Sequence, residues 1–517
     1  MGYADELIQA ILSGEVATRD EVLRFKAKLC KKHGLSRVPT NYELLAEVPE
    51  EFRDLAEPLL RNKPVRTISG VAPVAVMTSP SDCPHGRCAY CPGGVPNNSP
   101  QSYTGREPAA LRAATNEFDP HRQTSSRLEQ LRAIGHRTDK VDLIVMGGTF
   151  TSRPEEYQEW FVKRCFDAMN GRDSEDIESA HVVNESAPSR CVGLTVETRP
   201  DWLNARQIDW SMRLGATKVE LGVQILDDGV LDGVRRGHRV QEVVDATRRA
   251  KDAGLKVCYH VMPGLPGSNR EKDLRSFRLM FEDGRFRPDM LKVYPTLVVK
   301  GTELYEMWVR GEYTPLTEDD GIALVAEMKS LVPPWVRILR IQRDIPAGLI
   351  EAGIRKGHLR ELVAERMSDE GTACKCIRCR EVGHRDVHAS EDDAPPVMRT
   401  LTYDASEGRE TFVSFEFEGT GSLVGYARLR LPGDGAGHSC LRELHVYGQM
   451  VPIDDAPDRN WQHRGYGERL LDECERISLD DGRGELRVTS GVGVREYYRS
   501  LGYVRQGHYM AKPLRHA

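Results

Sequence analysis

Three cysteines, Cys83, Cys88 and Cys91, fall within the glycine- and proline-rich stretch DCPHGRCAYCPGG, with the spacing C-x4-C-x2-C. Thiolates placed this closely are suited to holding metal. A closed zinc site takes four ligands, and His85 is the one nearby candidate, but its place inside the short loop makes a tetrahedral arrangement awkward. A cubane iron-sulfur cluster normally takes four thiolates. Three thiolates leave one iron with open positions, which the amino and carboxylate groups of a substrate can fill. In that arrangement a reduced cluster passes an electron to the sulfonium of S-adenosylmethionine (SAM), a carbon-sulfur bond breaks and a 5′-deoxyadenosyl radical results.

Other residues extend this chemistry. Met146-Gly147-Gly148-Thr149 ends an expected strand, where Gly147 and Gly148 let the backbone approach a ligand such as the SAM amino group. Glu197, closing GLTVE, can accept from ribose hydroxyls. Near the C-terminus, Gln462-His463-Arg464-Gly465-Tyr466-Gly467 is a Q-x-x-G-x-G loop running into a helix. Its N–H groups can converge on an anion, aided by the helix terminus, so a pyrophosphate fits there. Its strand-loop-helix-strand context resembles the acetyl-CoA loop of GCN5-related acetyltransferases. A second thiol cluster, Cys374-x-Cys376-x2-Cys379, has zinc-like spacing, and His384 is the nearest candidate for a fourth ligand. With no base beside it, it reads as a structural zinc site. Cys30, Cys165, Cys191, Cys258, Cys440 and Cys474 read as isolated packing residues.

The elements that position these groups are visible in the apolar patterning. From about Val71 to Glu370 the runs VAPVAVM, VDLIVMGG, CVGLTVE, KVELGVQ, LKVCYHVMPG and MLKVYP alternate with helix-length amphipathic segments. This predicts an α/β fold, a parallel sheet forming a partial or complete TIM-like barrel. Active sites in such folds lie at the C-terminal ends of the strands, and the three-cysteine loop directly follows the first strand. From Val397 the pattern changes to antiparallel strands, a glycine loop, a helix and further strands, an α+β unit. The expected division is residues 1–70, helical and basic; 71–370, the barrel; 371–396, the second thiol motif and an acidic linker; and 397–517, the α+β unit.

Twelve cysteines in 517 residues are too sparse for a disulfide scaffold and imply reduced thiols. The N-terminus lacks a signal-type apolar run, Glu6 breaks a myristoylation pattern, and no stretch approaches the roughly 18 apolar residues of a membrane span, so a cytoplasmic location is expected. The net charge of −6 argues against general coating of nucleic acid but leaves room for a local basic groove. Arg24, Lys26, Lys28, Lys31, Lys32 and Arg37 form one such local excess.

Taken together, RTISGVAPVAVMTSP, CPHGRCAYCPGG, DKVDLIVMGGTF, GLTVETRPDW, YHVMPGLPG, RELHVYG, QHRGYG and GVGVREYYRSLGY resemble the catalytic subunit family of Elongator, tRNA-modifying proteins that join a radical SAM domain to a GCN5-related acetyltransferase domain. The resemblance covers nearly the whole chain. The one departure is the first cysteine gap, four residues against the three commonest among radical SAM proteins. The resemblance implies a 4Fe-4S cluster on Cys83, Cys88 and Cys91, and SAM contacted by Gly147, Gly148 and Glu197. Acetyl-CoA would be held by Gln462, Gly465, Tyr466, Gly467 and Glu468, with Glu443, Leu444, His445 and Val446 as the strand along which pantetheine pairs. Tyr498 would approach the thioester, and Lys140 matches a family position associated with acetyl-CoA. The implied reaction is carboxymethylation at C5 of the wobble uridine in a tRNA anticodon stem-loop, with an unidentified electron donor; the sequence itself does not imply other Elongator subunits. RNA contact is expected from the N-terminal basic helix and from Arg337, Arg340 and Arg343. The rival reading is a protein lysine acetyltransferase with a structural cluster.

Overall fold

The computed structural model describes residues 2–35, 37–61, 67–384, 394–433, 435–447 and 465–515. The six expected strand segments, joined by a seventh, form one parallel sheet: β1 (Ala72–Met77), β2 (Lys140–Met146), β3 (Arg190–Thr198), β4 (Lys218–Gln224), β5 (Lys256–Val261), β6 (Met290–Val293) and β7 (Arg337–Arg340). The strands lie in chain order, and β1 and β7 do not pair with each other. The sheet is therefore a half-barrel, which settles the choice between a partial and a complete ring.

Strand periodicity gives the half-barrel two unlike faces. On β2 the outward Val141, Leu143 and Val145 are fully buried among Leu131, Phe161, Val162 and Phe166 of the covering helices. Burying each such side chain contributes roughly 1.5–3 kcal/mol. The inward Lys140, Asp142, Ile144 and Met146 all keep partial exposure. Barrels usually fill the interior with branched apolar layers. Here β4, β5 and β6 instead carry Lys218, Glu220, Lys256, His260 and Lys292 at alternate positions.

The C-terminal sheet contains β8 (Val397–Ala405), β9 (Gly408–Glu416), β10 (Leu423–Leu431), β11 (His438–Val446), β12 (Glu485–Val488), β13 (Val504–Gln506) and β14 (Tyr509–Pro513). Its order is β8-β9-β10-β11-β12-β14-β13. The helix Tyr466–Asp480 packs on it through Leu470, Leu471 and Cys474. β11 and β12 pair in parallel only from His438 opposite Glu485 to Leu441 opposite Val488, and beyond that point no pairing joins them.

This sheet docks under the N-terminal ends of the barrel strands. Arg442 of β11 donates to Asp289 at 2.6 Å and to Glu410 at 2.7 Å, and to the carbonyl of Leu255 at 2.9 Å. Arg430 of β10 pairs with Asp252 and Glu410, and the Lys251 ammonium lies 3.7 Å from Asp289 and 3.6 Å from Glu410. Arg442, Arg430, Asp289 and Lys251 are fully buried. A Cβ on Gly491 would lie 2.2 Å from the carbonyl oxygen of Val192, so only glycine permits this approach to β3.

Arg337, expected to face RNA, belongs to this junction. It is buried at the start of β7, where it pairs with Glu381 and donates to the Tyr447 hydroxyl at 2.6 Å and to Ser69 at 3.1 Å. The reason is that VRIL forms a strand, so residues three apart do not share a face; Arg340 and Arg343 instead reach the opposite end of the sheet, at the barrel mouth.

At the N-terminus, helices Tyr3–Leu12, Arg19–Lys32, Asn41–Glu47 and Arg53–Leu60 enclose a separate core including Leu7, Val22, Leu29, Leu44 and Leu60. Thr18 and Glu21 cap the second helix reciprocally. Lys26 departs from the expected basic face, being buried and donating to Asn41 at 2.6 Å. Lys32 pairs with Glu6 and Arg37 with Glu43, while Arg24, Lys28 and Lys31 face solvent.

Candidate active site

The loop after β1 places Cys83, Cys88 and Cys91 over the C-terminal ends of the strands, with Cys83 and Cys91 lining a cleft shared with Tyr103, Gly148, Glu197 and Arg236. A turn from the Gly86 N–H to the Cys83 carbonyl, 3.0 Å, and the Cys83 N–H bonded to Gln101 at 2.9 Å fix the loop. His85 lies 3.1 Å from the Cys88 sulfur and Arg236 3.8 Å from it. The Cys91 thiol, then His85 and Arg236, hold the Cys88 thiol well below the usual range despite its burial. A thiolate among cationic donors is the state that ligates metal, so the donor set fits an iron-sulfur cluster.

Glycines and Glu197 close the adjoining wall. Gly147 has φ +144°, and a Cβ there would lie 2.0 Å from Thr78 Oγ1; Gly148 has φ +88° and also lines the cleft wall. Glu197 Oε2 accepts from Tyr103 at 2.7 Å and faces the Gly147 N–H at 3.4 Å. Deeper in the cleft, Glu220 pairs with Lys292 and accepts from His260 at 2.8 Å. Lys292 also stands 3.9 Å from Glu197. Burial would raise the Glu220 carboxyl, but Lys292 and His260 hold it well below the carboxylate range. Glu220, Cys258 and His260 bring three potential ligand atoms within 4.8 Å of one another. With Lys292 on the Glu220 carboxylate, the set is an ion-paired network, not a cation site. Tyr103, Arg236 and this Glu220–His260–Lys292 group were missed in the sequence. For the Glu220–His260–Lys292 group the signal was the period-two placement of Lys218, Glu220, Lys256, His260 and Lys292 inside otherwise apolar runs; Tyr103 and Arg236 carry no such signal.

The acetyl-CoA candidates lie elsewhere. Gly465, at φ +77°, precedes the helix begun by Tyr466, Gly467 and Glu468; Gln462 falls outside the described residues. Glu443, Leu444, His445 and Val446 end β11, all half-buried, where its pairing with β12 has ceased. Glu443 accepts from Arg428 at 2.7 Å, and His445 donates to the Ser69 carbonyl at 3.0 Å. Tyr498 is packed edge-on against Tyr497 and Tyr503, and burial pushes its phenol well up. Its helix is tied by Arg495 and Arg499 to Glu185, which precedes β3, so Tyr498 lies at the floor of the barrel and not at its mouth. Lys140 opens β2 at the same floor, on the inner face, and burial lowers its pKa.

The second thiol cluster is part of the junction, not of a loose linker. Cys374, Cys376 and Cys379 bring their sulfurs within 4.8 Å of one another, and Cys376 is fully buried. Its neighbours Cys374 and Cys379 hold the Cys376 thiol well below its usual range. The Ile377 N–H bonds the Val336 carbonyl at 2.9 Å. His384 turns to Glu381 at 3.1 Å and does not join the sulfurs.

A half-barrel with a three-thiol loop at its mouth and an acetyltransferase-type sheet beneath it define a radical SAM protein fused to a GNAT domain. Comparison with known proteins agrees: the chain matches the Radical SAM superfamily over residues 78–280, the Radical SAM C-terminal domain over 288–369, the GNAT acetyltransferase family over 380–503 and the ELP3 N-terminal domain over 2–68. The chain belongs to the Elongator complex protein 3 family. It is 48% identical to the tRNA uridine(34) acetyltransferase of Methanocaldococcus jannaschii, over 99% of this chain and 97% of that protein. Human Elongator complex protein 3 is 42% identical over 99% of this chain and 96% of its own length. Among solved structures, the archaeal Methanocaldococcus infernus Elp3 lacking residues 1–46 superposes with a TM-score of 0.76, at 45% identity, covering 87% of this chain and 100% of that one.

Proposed function

We propose that this chain is a tRNA uridine(34) acetyltransferase of the carboxymethyl-forming kind, modifying C5 of the wobble uridine with carbon from acetyl-CoA. The observation that carries this is the docking of a GNAT sheet against the half-barrel that bears the three-thiol loop, through a fully buried ionic junction. C5 of uracil is a poor nucleophile and an acetyl methyl a poor acid, so ordinary acyl transfer would not join them. A 4Fe-4S cluster held by Cys83, Cys88 and Cys91, with SAM beside Gly147, Gly148 and Glu197, supplies the radical that makes the methyl reactive. Tyr103 and Lys292 position the Glu197 side chain as an acceptor for the ribose. In the GNAT domain Gly465 to Glu468 would present backbone N–H groups to the pyrophosphate, and Glu443 to Val446, where β11 has parted from β12, would lie along pantetheine. An acceptor lysine of another protein would have to reach that strand past the barrel floor, which disfavours protein acetylation.

The test is nucleoside mass spectrometry of tRNA after anaerobic reconstitution with SAM, acetyl-CoA and reductant. Carboxymethyluridine is the expected product. Its absence, with acetyl-lysine formed instead, overturns the assignment.

Zinc on Cys374, Cys376 and Cys379 belongs to the same reading, as a structural ion clamping the junction. Freshly purified protein is expected to carry about one zinc per chain, and Cys376→Ser to lose it, by elemental analysis. Zinc at trace level in unmutated protein refutes the site.

Arg340 and Arg343 line the cleft mouth, where an anticodon loop can enter unpaired. The double change Arg340→Ala with Arg343→Ala is expected to lower the salt-dependence slope of tRNA binding by about 1 to 1.5, the value for two single-strand phosphate contacts, in filter-binding titrations. An unchanged slope removes them from the RNA surface.

A further inference from the structure

The segment that would lie along pantetheine, Glu443 to Val446, pairs with β10 on one side and, among the described residues, with no strand on the other. A strand end of this kind needs a second anchor, and the half-barrel supplies one on each side of it. Before the segment, Arg442 donates to Asp289 at 2.6 Å, and Glu443 accepts from Arg428, which stands 3.8 Å from the same Asp289. After it, the Tyr447 hydroxyl accepts from Arg337 of β7 at 2.6 Å, with the guanidinium 5.3 Å from the centre of the Tyr447 ring. Tyr447 is fully buried, and its N–H bonds the Val424 carbonyl at 2.8 Å, so it still belongs to the sheet. Arg337 makes this contact within a knot of four segments. It pairs with Glu381 and donates to Ser69 Oγ at 3.1 Å. Ser69 donates in turn to Glu381 at 3.1 Å, and its carbonyl accepts from His445 at 3.0 Å. The His445 and Tyr447 rings lie 4.4 Å apart. Ser69 sits between the N-terminal helices and β1, and Glu381 two positions after Cys379. A planar guanidinium with five fixed donors can serve several acceptors at once, as an ammonium cannot.

We infer that Arg337 is a positioning residue for acetyl-CoA, acting through Tyr447: it fixes the end of β11, and with it the spacing between the pantetheine strand and the pyrophosphate helix. Those two elements are neighbours, since a Cβ on Gly467 would lie 4.0 Å from Val446 Cγ2. A shift of Tyr447 is passed to Val446 and from there to the start of the helix. The group that sets this spacing belongs to the half-barrel and not to the GNAT sheet, so acetyl-CoA affinity becomes a property of the docked pair of domains. The second thiol motif bears on the same clamp through Glu381. Neither Arg337 nor Tyr447 lines the three-cysteine cleft, which leaves SAM chemistry outside its reach.

The inference rests on acetyl-CoA being held where proposed above, and two readouts keep the two apart. Hydrogen exchange reads the clamp with no ligand present. Tyr447→Phe, which removes only the hydroxyl, is expected to speed amide exchange in the peptide carrying Glu443 to Tyr447; exchange there at the unmutated rate overturns the clamp. Calorimetry reads its purpose. Acetyl-CoA is expected to bind Tyr447→Phe about tenfold more weakly, the lower end for one hydrogen bond to a charged group, with its KM raised in step while the saturated rate and SAM cleavage are retained. Faster exchange with unchanged affinity overturns the positioning role. Unmutated enzyme that binds no acetyl-CoA refutes the site proposed above, and exchange still judges the clamp. Arg337→Lys keeps a charge beside Glu381 but cannot span the acceptors, and is expected to give the same pattern. The control is Tyr259→Phe, which takes a fully buried hydroxyl of β5 away from Thr247; both readouts are expected to stay unchanged. Equal weakening of acetyl-CoA in this control identifies general loosening and overturns the inference.

Discussion

Replacing Cys88 with alanine is expected to reduce 5′-deoxyadenosine formation to background and to remove the visible absorbance of the reconstituted cluster. Cys88 sits centrally in the loop, buried, with His85 at 3.1 Å and Arg236 at 3.8 Å from its sulfur. Cys91, His85 and Arg236 hold its thiol below the usual range, the state in which a cysteine ligates metal. Loss of one thiolate leaves two, too few to hold a cubane against solvent. The control is Cys165→Ala, a fully buried thiol beneath the covering helices; it forfeits about 1–2 kcal/mol of packing but keeps the cluster. Deoxyadenosine released by Cys88→Ala at the unmutated rate would falsify the assignment of this loop.

The second large effect is on stability. Arg442→Met removes the guanidinium shared by Asp289 and Glu410 and leaves these buried carboxylates to Lys251, Arg428 and Arg430, an incomplete set of cations. Breaking a buried pair from one side costs about 3–5 kcal/mol, measurable as a lowered midpoint in guanidinium unfolding. The pH dependence has a definite sign. Burial alone would raise Asp289, but Arg442, Lys251 and Arg428 overcome it and hold the carboxyl well below the ordinary range. A depressed folded pKa contributes stability that is present above the unfolded value, about 3.9, and lost as the pH falls below it. Asp289→Asn is accordingly expected to flatten the acid limb of stability below about pH 5. An unfolding midpoint and acid limb that neither change alters would show that the junction is not what holds the domains together.

Much of this arrangement was legible in the chain. The apolar runs from VAPVAVM to MLKVYP became six parallel strands because β-branched runs between helices leave few other ways to be buried. The three-thiol loop fell at a strand end for the same topological reason. Three things were not legible. Arg337 carries the same charge as Arg340, and only the strand geometry sends one to the floor and the other to the mouth. Lys26 sits in a basic run, yet faces inward because Val22 and Leu29 set the buried stripe of its helix. The charged interior of the half-barrel was hidden because its lysines and acids are isolated within apolar runs, and only the alternation of faces separates them from the core.

The junction also has a consequence for the order in which the protein is made. Asp289 emerges from the ribosome well ahead of its partner Arg442, which follows 153 positions later, and Asp252 precedes Arg430 by 178. At about 5–20 residues per second the half-barrel waits roughly 8 to 30 s for the groups that neutralise its lower rim. Until then Asp289 has only Lys251 and the Val257 N–H as partners, and Asp252 lacks Arg430. A chain interrupted before β8 would yield a half-barrel whose strands are all present but whose lower rim lacks Arg428, Arg430 and Arg442.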